Sequence, residues 1–221
     1  MSSDLRAFSH RLRNVYWLGG GSGAGKSTIA ERLARRYGLR RYSTDEAMSD
    51  HAQRSTPTEC PLLAAFQTMS MDERWMSRTP ETMFATFHWF WGEGFRFIVD
   101  DLLALPAGDP VIVEGFRLLP SLVKPLLVRA DQSAWLLPTK EFRLQALTNR
   151  GSLWTIPLKT SDPDRALANI LQRDALFTEE LRQAAVRVEL PIVEVDGALS
   201  EEALERRIAA LFRFEISQTE T

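Results

Sequence analysis

A chain of 221 residues with 44% hydrophobic content can bury a full core, and nothing in its composition suggests a collagen, a coiled coil or a disordered tail. The 27 basic and 29 acidic residues leave a formal net charge of -2, so neither nucleic acid nor an anionic membrane is an expected partner. The single cysteine, Cys60, excludes an intrachain disulfide and a cysteine-based metal cluster, and suits a reducing cytoplasm.

Met1 to Asn14 is polar, without the apolar core of a leader, and no later stretch offers about 18 uninterrupted apolar residues, so no export signal or membrane span is expected. Val15 to Leu18 reads as a buried strand, and Ile29, Leu33 and Tyr37 recur at helical spacing. Between them Gly20, Gly21, Ser22, Gly23, Ala24, Gly25, Lys26, Ser27 and Thr28 satisfy G-x-x-x-x-G-K-[ST] in the strand-to-helix context of a phosphate-binding loop. Glycines let the backbone curl so that successive N–H groups face phosphate oxygens. Lys26 then reaches the β and γ phosphates, Ser27 offers its hydroxyl to Mg²⁺, and the helix N-terminus adds a positive dipole end.

Leu39 to Ser43 is the second expected strand, and Thr44-Asp45-Glu46 follows it at the carboxyl edge where ligands of open α/β sheets bind. Asp45 suits two roles: orienting an acceptor hydroxyl, or capping the next helix together with Thr44. Residues 44–105 are mostly helical and too long for a simple crossover, so they are expected to form an acceptor-binding insertion over that edge. Within it Phe84, Phe87, His88, Trp91 and Phe95 fall on one helical stripe, either as core or, through Phe87 and Trp91, as the wall of an acceptor pocket. His88 reads as a core or rim histidine, with no second histidine at metal-ligand spacing.

Val111 to Val113 is the third strand and ends on Glu114, where a carboxylate would hold Mg²⁺ through its water shell or orient the acceptor. Arg117 follows closely, able to meet the acceptor or a phosphate, or to lie in a surface loop. Ser133 to Leu137 is the fourth strand. The stretch 139–162, with Arg143, Arg150, Gly151, Pro157 and Lys159, reads as irregular and lid-like. Phosphoryl transfer spreads charge over equatorial oxygens, and Arg150 and Arg173 are the candidates to meet it. A cap at Ser161-Asp162-Pro163 opens a helix through Leu171 with Arg173 at its end. Ile192 to Val195 forms the last strand, and Ser200 opens a final helix through Phe212.

Together, the glycine-rich loop, Ser43 to Glu46, Val113 to Arg117 and Ile170 to Asp174 resemble the P-loop small-molecule kinases, among them shikimate, gluconate, adenylate and chloramphenicol kinases. The resemblance implies a three-layer α/β fold over 1–221 with a five-stranded parallel sheet in order 2-3-1-4-5. It implies that Asp45 faces the acceptor, that Arg173 matches the arginine following the lid, and that Asp196-Gly197 lies near the adenine. Glu114-Gly115-Phe116-Arg117 is similar to the Asp-Gly-Phe-Pro-Arg run of nucleoside monophosphate kinases, with Glu for Asp and no proline.

The expected activity is therefore transfer of the γ-phosphate of ATP, with Mg²⁺, to a hydroxyl of a small molecule. Lys26, Asp45, Glu114 and Arg173 would be the acting residues. The alternatives are a nucleotide-dependent regulatory or binding module and, among enzymes, a nucleoside or nucleotide kinase. A GTPase is disfavoured because Thr148-Asn149-Arg150-Gly151 does not supply the base-reading Asn-Lys-x-Asp. Neither the acceptor nor the oligomeric state is legible.

Overall fold

The computed structural model describes residues 8–150 and 155–214, the side chains of 147–150 aside. Strands β1 (Val15–Gly20), β2 (Arg40–Ser43), β3 (Val111–Glu114), β4 (Ser133–Pro138) and β5 (Ile192–Val195) form one parallel sheet in the order β2-β3-β1-β4-β5. This is the expected architecture, with each strand within a residue or two of its expected bounds. Successive side chains of a strand face opposite sides, so the central strands of a sheet covered on both faces read as near-continuous apolar runs. Trp17, Val111, Val113, Trp135 and Leu137 enter one core, while Leu18, Ile112, Ala134 and Leu136 enter the other.

Helix α1 (Lys26–Tyr37) follows β1. Between β2 and β3 come α2 (Met48–Arg54), α3 (Pro61–Thr68), α4 (Met71–Trp75), α5 (Pro80–Thr86), a 3-10 turn at His88–Trp91, and α6 (Phe95–Ala104). The remaining helices are α7 (Pro120–Val123), α8 (Lys140–Arg150), α9 (Pro163–Arg187) and α10 (Glu201–Leu211). Ile29 and Leu33 of α1 meet Leu204 and Ile208 of α10 in the second core. Ile170, Phe177 and Leu181 of α9 join Phe97, Ile98 and Leu102 of α6 in the first.

Three expectations are corrected. The aromatic residues 84–97 do not share a helix face, because α5 stops at Thr86 and the 3-10 turn stops at Gly92, whose φ of 86° is left-handed backbone that glycine adopts without strain. Residues 140–150 are a helix rather than an irregular stretch, started by the Thr139 hydroxyl accepting from Phe142 N at 3.2 Å. The helix opened at Asp162 runs on to Arg187, so Arg173 lies inside it. Arg173 and Asp174 look like a polar stop in sequence, yet they neutralise one another at 2.6 Å while Phe177 and Leu181 continue the buried face.

Candidate active site

Register brings the carboxyl ends of three strands level: Glu114 pairs with Leu18 on β1 and with Ser43 on β2. The glycine-rich loop then returns the start of α1 to the same place. Lys26 is buried, with Nζ donating to the Gly21 carbonyl at 2.8 Å. The Ser27 hydroxyl donates to Glu114 Oε2 at 3.1 Å, and Arg41 approaches Oε1 at 3.4 Å.

Glu114 has no solvent exposure. Burial lifts its carboxyl above the ordinary range, against the pull of the Ser43 hydroxyl, Lys26 and Ser27, with the charge of Asp45 adding to the rise. A hydroxyl and a carboxylate side by side are the hard oxygen donors that Mg²⁺ takes, so Ser27 and Glu114 fit that ion.

The loop after β2 is stitched to the loop after β3. Thr44 N donates to the Glu114 carbonyl at 2.9 Å, and Gly115, at φ 146°, lies so close that a Cβ there would collide with Thr44 Oγ1. Gly115→Ala is therefore expected to destabilise the fold by about 1–3 kcal/mol and to shift the Thr44–Asp45 loop, as read by urea unfolding.

Asp45 is exposed and accepts from the Thr44 hydroxyl at 3.3 Å. The capping reading is not realised, since α2 begins at Met48 with Ala47 at its N-cap and no side-chain cap bond. Arg117 is 2% exposed. Its guanidinium bonds to His51 Nδ1 and to the Thr44 and Gly94 carbonyls, and stacks 3.9 Å from the Trp89 ring centroid.

Arg173 is buried, with Nε and Nη2 on Asp174 Oδ1 at 2.9 and 2.6 Å and its guanidinium over the rings of Trp75, Phe87 and Phe90. Phe87 is thus buried against an arginine, whereas Trp91 is 48% exposed and hydrogen-bonds the Phe84 carbonyl. The side chain of Arg150 lies outside the described residues.

Arg143, which the sequence offered only as one basic residue among many, is 2% exposed. It donates to the Thr178 hydroxyl, and its Cγ lies 3.4 Å from where a Cβ on Gly23 would sit. Thr178 itself abuts Gly21. No local sequence signal marks Arg143, since its contacts with Thr178 and Gly23 are made across elements distant in the chain. Among the described residues, Arg143 Nε and Arg173 Nη1 are buried without a hydrogen-bond partner. Asp174 thus pairs with Arg173 and also acts on the charge of Arg143, the arginine that packs on the phosphate loop at Gly23.

His88 is buried among Phe66, Phe87 and Trp89. Burial, and then the charges of Arg117, Arg173 and Arg74, push its pKa down to about 3. An unfolded chain takes up this proton near pH 6.5, the folded one only near 3, so stability should fall as pH drops through that window. Urea midpoints at about pH 7 and about pH 5 should differ in that sense, and His88→Phe should reduce the slope. His51, which burial also holds below its ordinary value, contributes slope of the same sign.

On the far side of the loop, Gly23, Ala24, Phe142, Gln145, Ala146 and Gly197 line a cleft of about 370 Å³. Asp196 is exposed and accepts from Ala198 N, turning the chain so that Gly197 packs on Phe142.

No family model matches the chain, and no curated protein does. Solved structures do match. The deoxyadenosine kinase from M. mycoides with bound dATP gives a TM-score of 0.50 at 13% identity, over 90% of this chain and 99% of that one. The chain has the P-loop kinase fold. A gluconokinase from Sinorhizobium meliloti 1021 gives 0.47 at 18% identity, over 92% and 93% of the two chains. Shikimate kinase from Acinetobacter baumannii in complex with shikimate gives 0.47 at 17%, over 95% and 97%. At such identities the likeness is one of fold, and the chemistry has to be argued from the residues. Among the described residues, no helix is long and apolar enough to cross a membrane.

Proposed function

We propose that the protein transfers the γ-phosphate of ATP to a hydroxyl of a small molecule. The observation that carries this reading is the Ser27–Glu114 contact of 3.1 Å beside buried Lys26, which unites the phosphate loop with a strand-end carboxylate 87 positions away. Phosphoryl transfer needs little covalent help from the protein, only positioning and charge stabilisation.

In this reading the backbone N–H groups of 20–28 and Lys26 hold the phosphates, and the cleft beside Phe142 and Gly197 takes the base. Ser27 directly, and Glu114 through water, would hold Mg²⁺. When bound, that ion would supply charge neutralisation to the phosphates. The helices between β2 and β3 receive the acceptor, and Asp45 orients its hydroxyl and takes the proton. Arg143 and Arg173, with one carboxylate between them, supply the positive charge that the transferring group needs. Residues 139–162, including Arg150, are the segment that would close over the phosphates.

Glu114→Gln tests the carboxylate directly. ATP should still bind without metal, while the gain in affinity on adding Mg²⁺ should be lost by calorimetry. An undiminished Mg²⁺ gain would remove Glu114 from the metal.

A further inference from the structure

His51, Asp101 and Tyr42 have no part in the chemistry above, yet they build a polar network around a fully buried histidine. His51, on α2, has no solvent exposure. Its Nδ1 lies 2.8 Å from Arg117 Nη1, and a guanidinium has no lone pair to offer, so Nδ1 must be the acceptor. The proton therefore sits on Nε2, which donates to Asp101 Oδ2 at 2.8 Å. Tyr42 donates to that same oxygen at 2.6 Å, and Arg54 to Oδ1 at 2.8 Å. Arg54 also pairs with Asp50 at 2.9 Å, so one cation of the chain bridges the two carboxylates beside His51.

Arg117 spends its guanidinium on protein alone: His51, the Thr44 carbonyl at 3.3 Å, the Gly94 carbonyl at 3.2 Å and the Trp89 face. That is the pattern of a brace, not of a group kept open for a ligand.

We infer that His51 is a positioning residue: anchored by Asp101, it locks Arg117 flat on Trp89, and Arg117 in turn fixes the Thr44 carbonyl and hence the direction in which Asp45 points. The inference rests on Asp45 being the residue that orients the acceptor. Protonating His51 would turn a second N–H toward the Arg117 cation and break the brace. The charged and titratable groups that bear on it are Asp101 from α6, Tyr42 from β2, Arg54 and Asp50 from α2, and Arg117, with Asp45 and Cys60 acting on Arg117 in turn. Burial holds His51 neutral below its ordinary value, and the charge of Arg117 works in the same direction against the Asp101 hydrogen bond.

The test is a pH titration of the whole protein by amide and imidazole NMR, feasible because the chain has 3 histidines. The Thr44, Asp45 and Gly115 amides should move with the midpoint of His51, below about 6.5, while the amides of 21–27 stay still. Two variants split the network. His51→Asn keeps an acceptor near the place of Nδ1 and should leave the Thr44–Asp45 resonances near their native positions. His51→Gln keeps the donor toward Asp101, loses the acceptor, and should displace them. Equal displacement in both variants, or Thr44 and Asp45 amides indifferent to His51, overturns the inference. If the variants do not fold, the native titration decides alone.

Addition of a β,γ-imido ATP analogue to the same sample reads the phosphate loop separately. No response at 21–27 with the co-titration intact would sink the nucleotide reading and leave the brace standing. A response at 21–27 without the co-titration would sink only the brace.

Discussion

Lys26→Ala is expected to cut ATP turnover by about 10² to 10³, the scale of losing one preorganised donor to a developing oxyanion. The argument starts from burial. Lys26 is 7% exposed, and its ammonium lies against the Gly21 carbonyl, so the charge is already desolvated and held within the loop. A cation in that setting acts on phosphate oxygens far more strongly than one in water. Alanine removes it while leaving the glycine backbone and the Ser27–Glu114 contact in place. The variant should therefore fold, with a urea midpoint close to native, and the loss should appear in steady-state ADP release. Native turnover in Lys26→Ala would show that the loop binds something other than a reacting phosphate.

Asp45→Asn is expected to lower turnover by about 10² or more while ATP affinity stays within about threefold of native. Asparagine matches aspartate in shape and would serve equally as a helix cap. The structure removes the structural explanation in any case, because α2 starts at Met48 with no side-chain cap and Asp45 is exposed beside the Thr44 hydroxyl. What the substitution takes away is a proton acceptor at the carboxyl edge. Single-turnover phosphate transfer, with ATP binding measured alongside, separates the two terms, and unchanged turnover would leave Asp45 without a part in the chemistry.

The parallel sheet was legible because most of its strands are short apolar runs alternating with helical stretches; the order 2-3-1-4-5 came through the resemblance to the P-loop kinases, and the register is visible only in the structure. Glu114 was legible for the same reason: an acid closing the run Val111 to Val113 had to emerge at the edge beside the loop. The arginines were not. Arg173 was singled out, but the rings around it, Trp75 at the end of α4 and Phe87 and Phe90 at the 3-10 turn, lie far from it in sequence, and no local pattern joins them to it. Arg143 was passed over because residues 139–162 read as irregular. Only the packing of α8 against α9 carries its side chain to Thr178 and Gly23. The aromatic stripe failed for a plainer reason, since the helix ends at Thr86 with Phe87 extended, and the 3-10 turn that follows ends at Gly92, so no single helical period spans 84–95.

The central claim, that Lys26, Ser27 and Glu114 surround a phosphoryl group in transfer, is tested most directly by ³¹P NMR of the protein with ATP and Mg²⁺ across a panel of hydroxylated small molecules. The account predicts ADP together with a new phosphate monoester resonance for at least one acceptor, both absent with Lys26→Ala. ATP that binds yet yields neither ADP nor a monoester with any acceptor would contradict it.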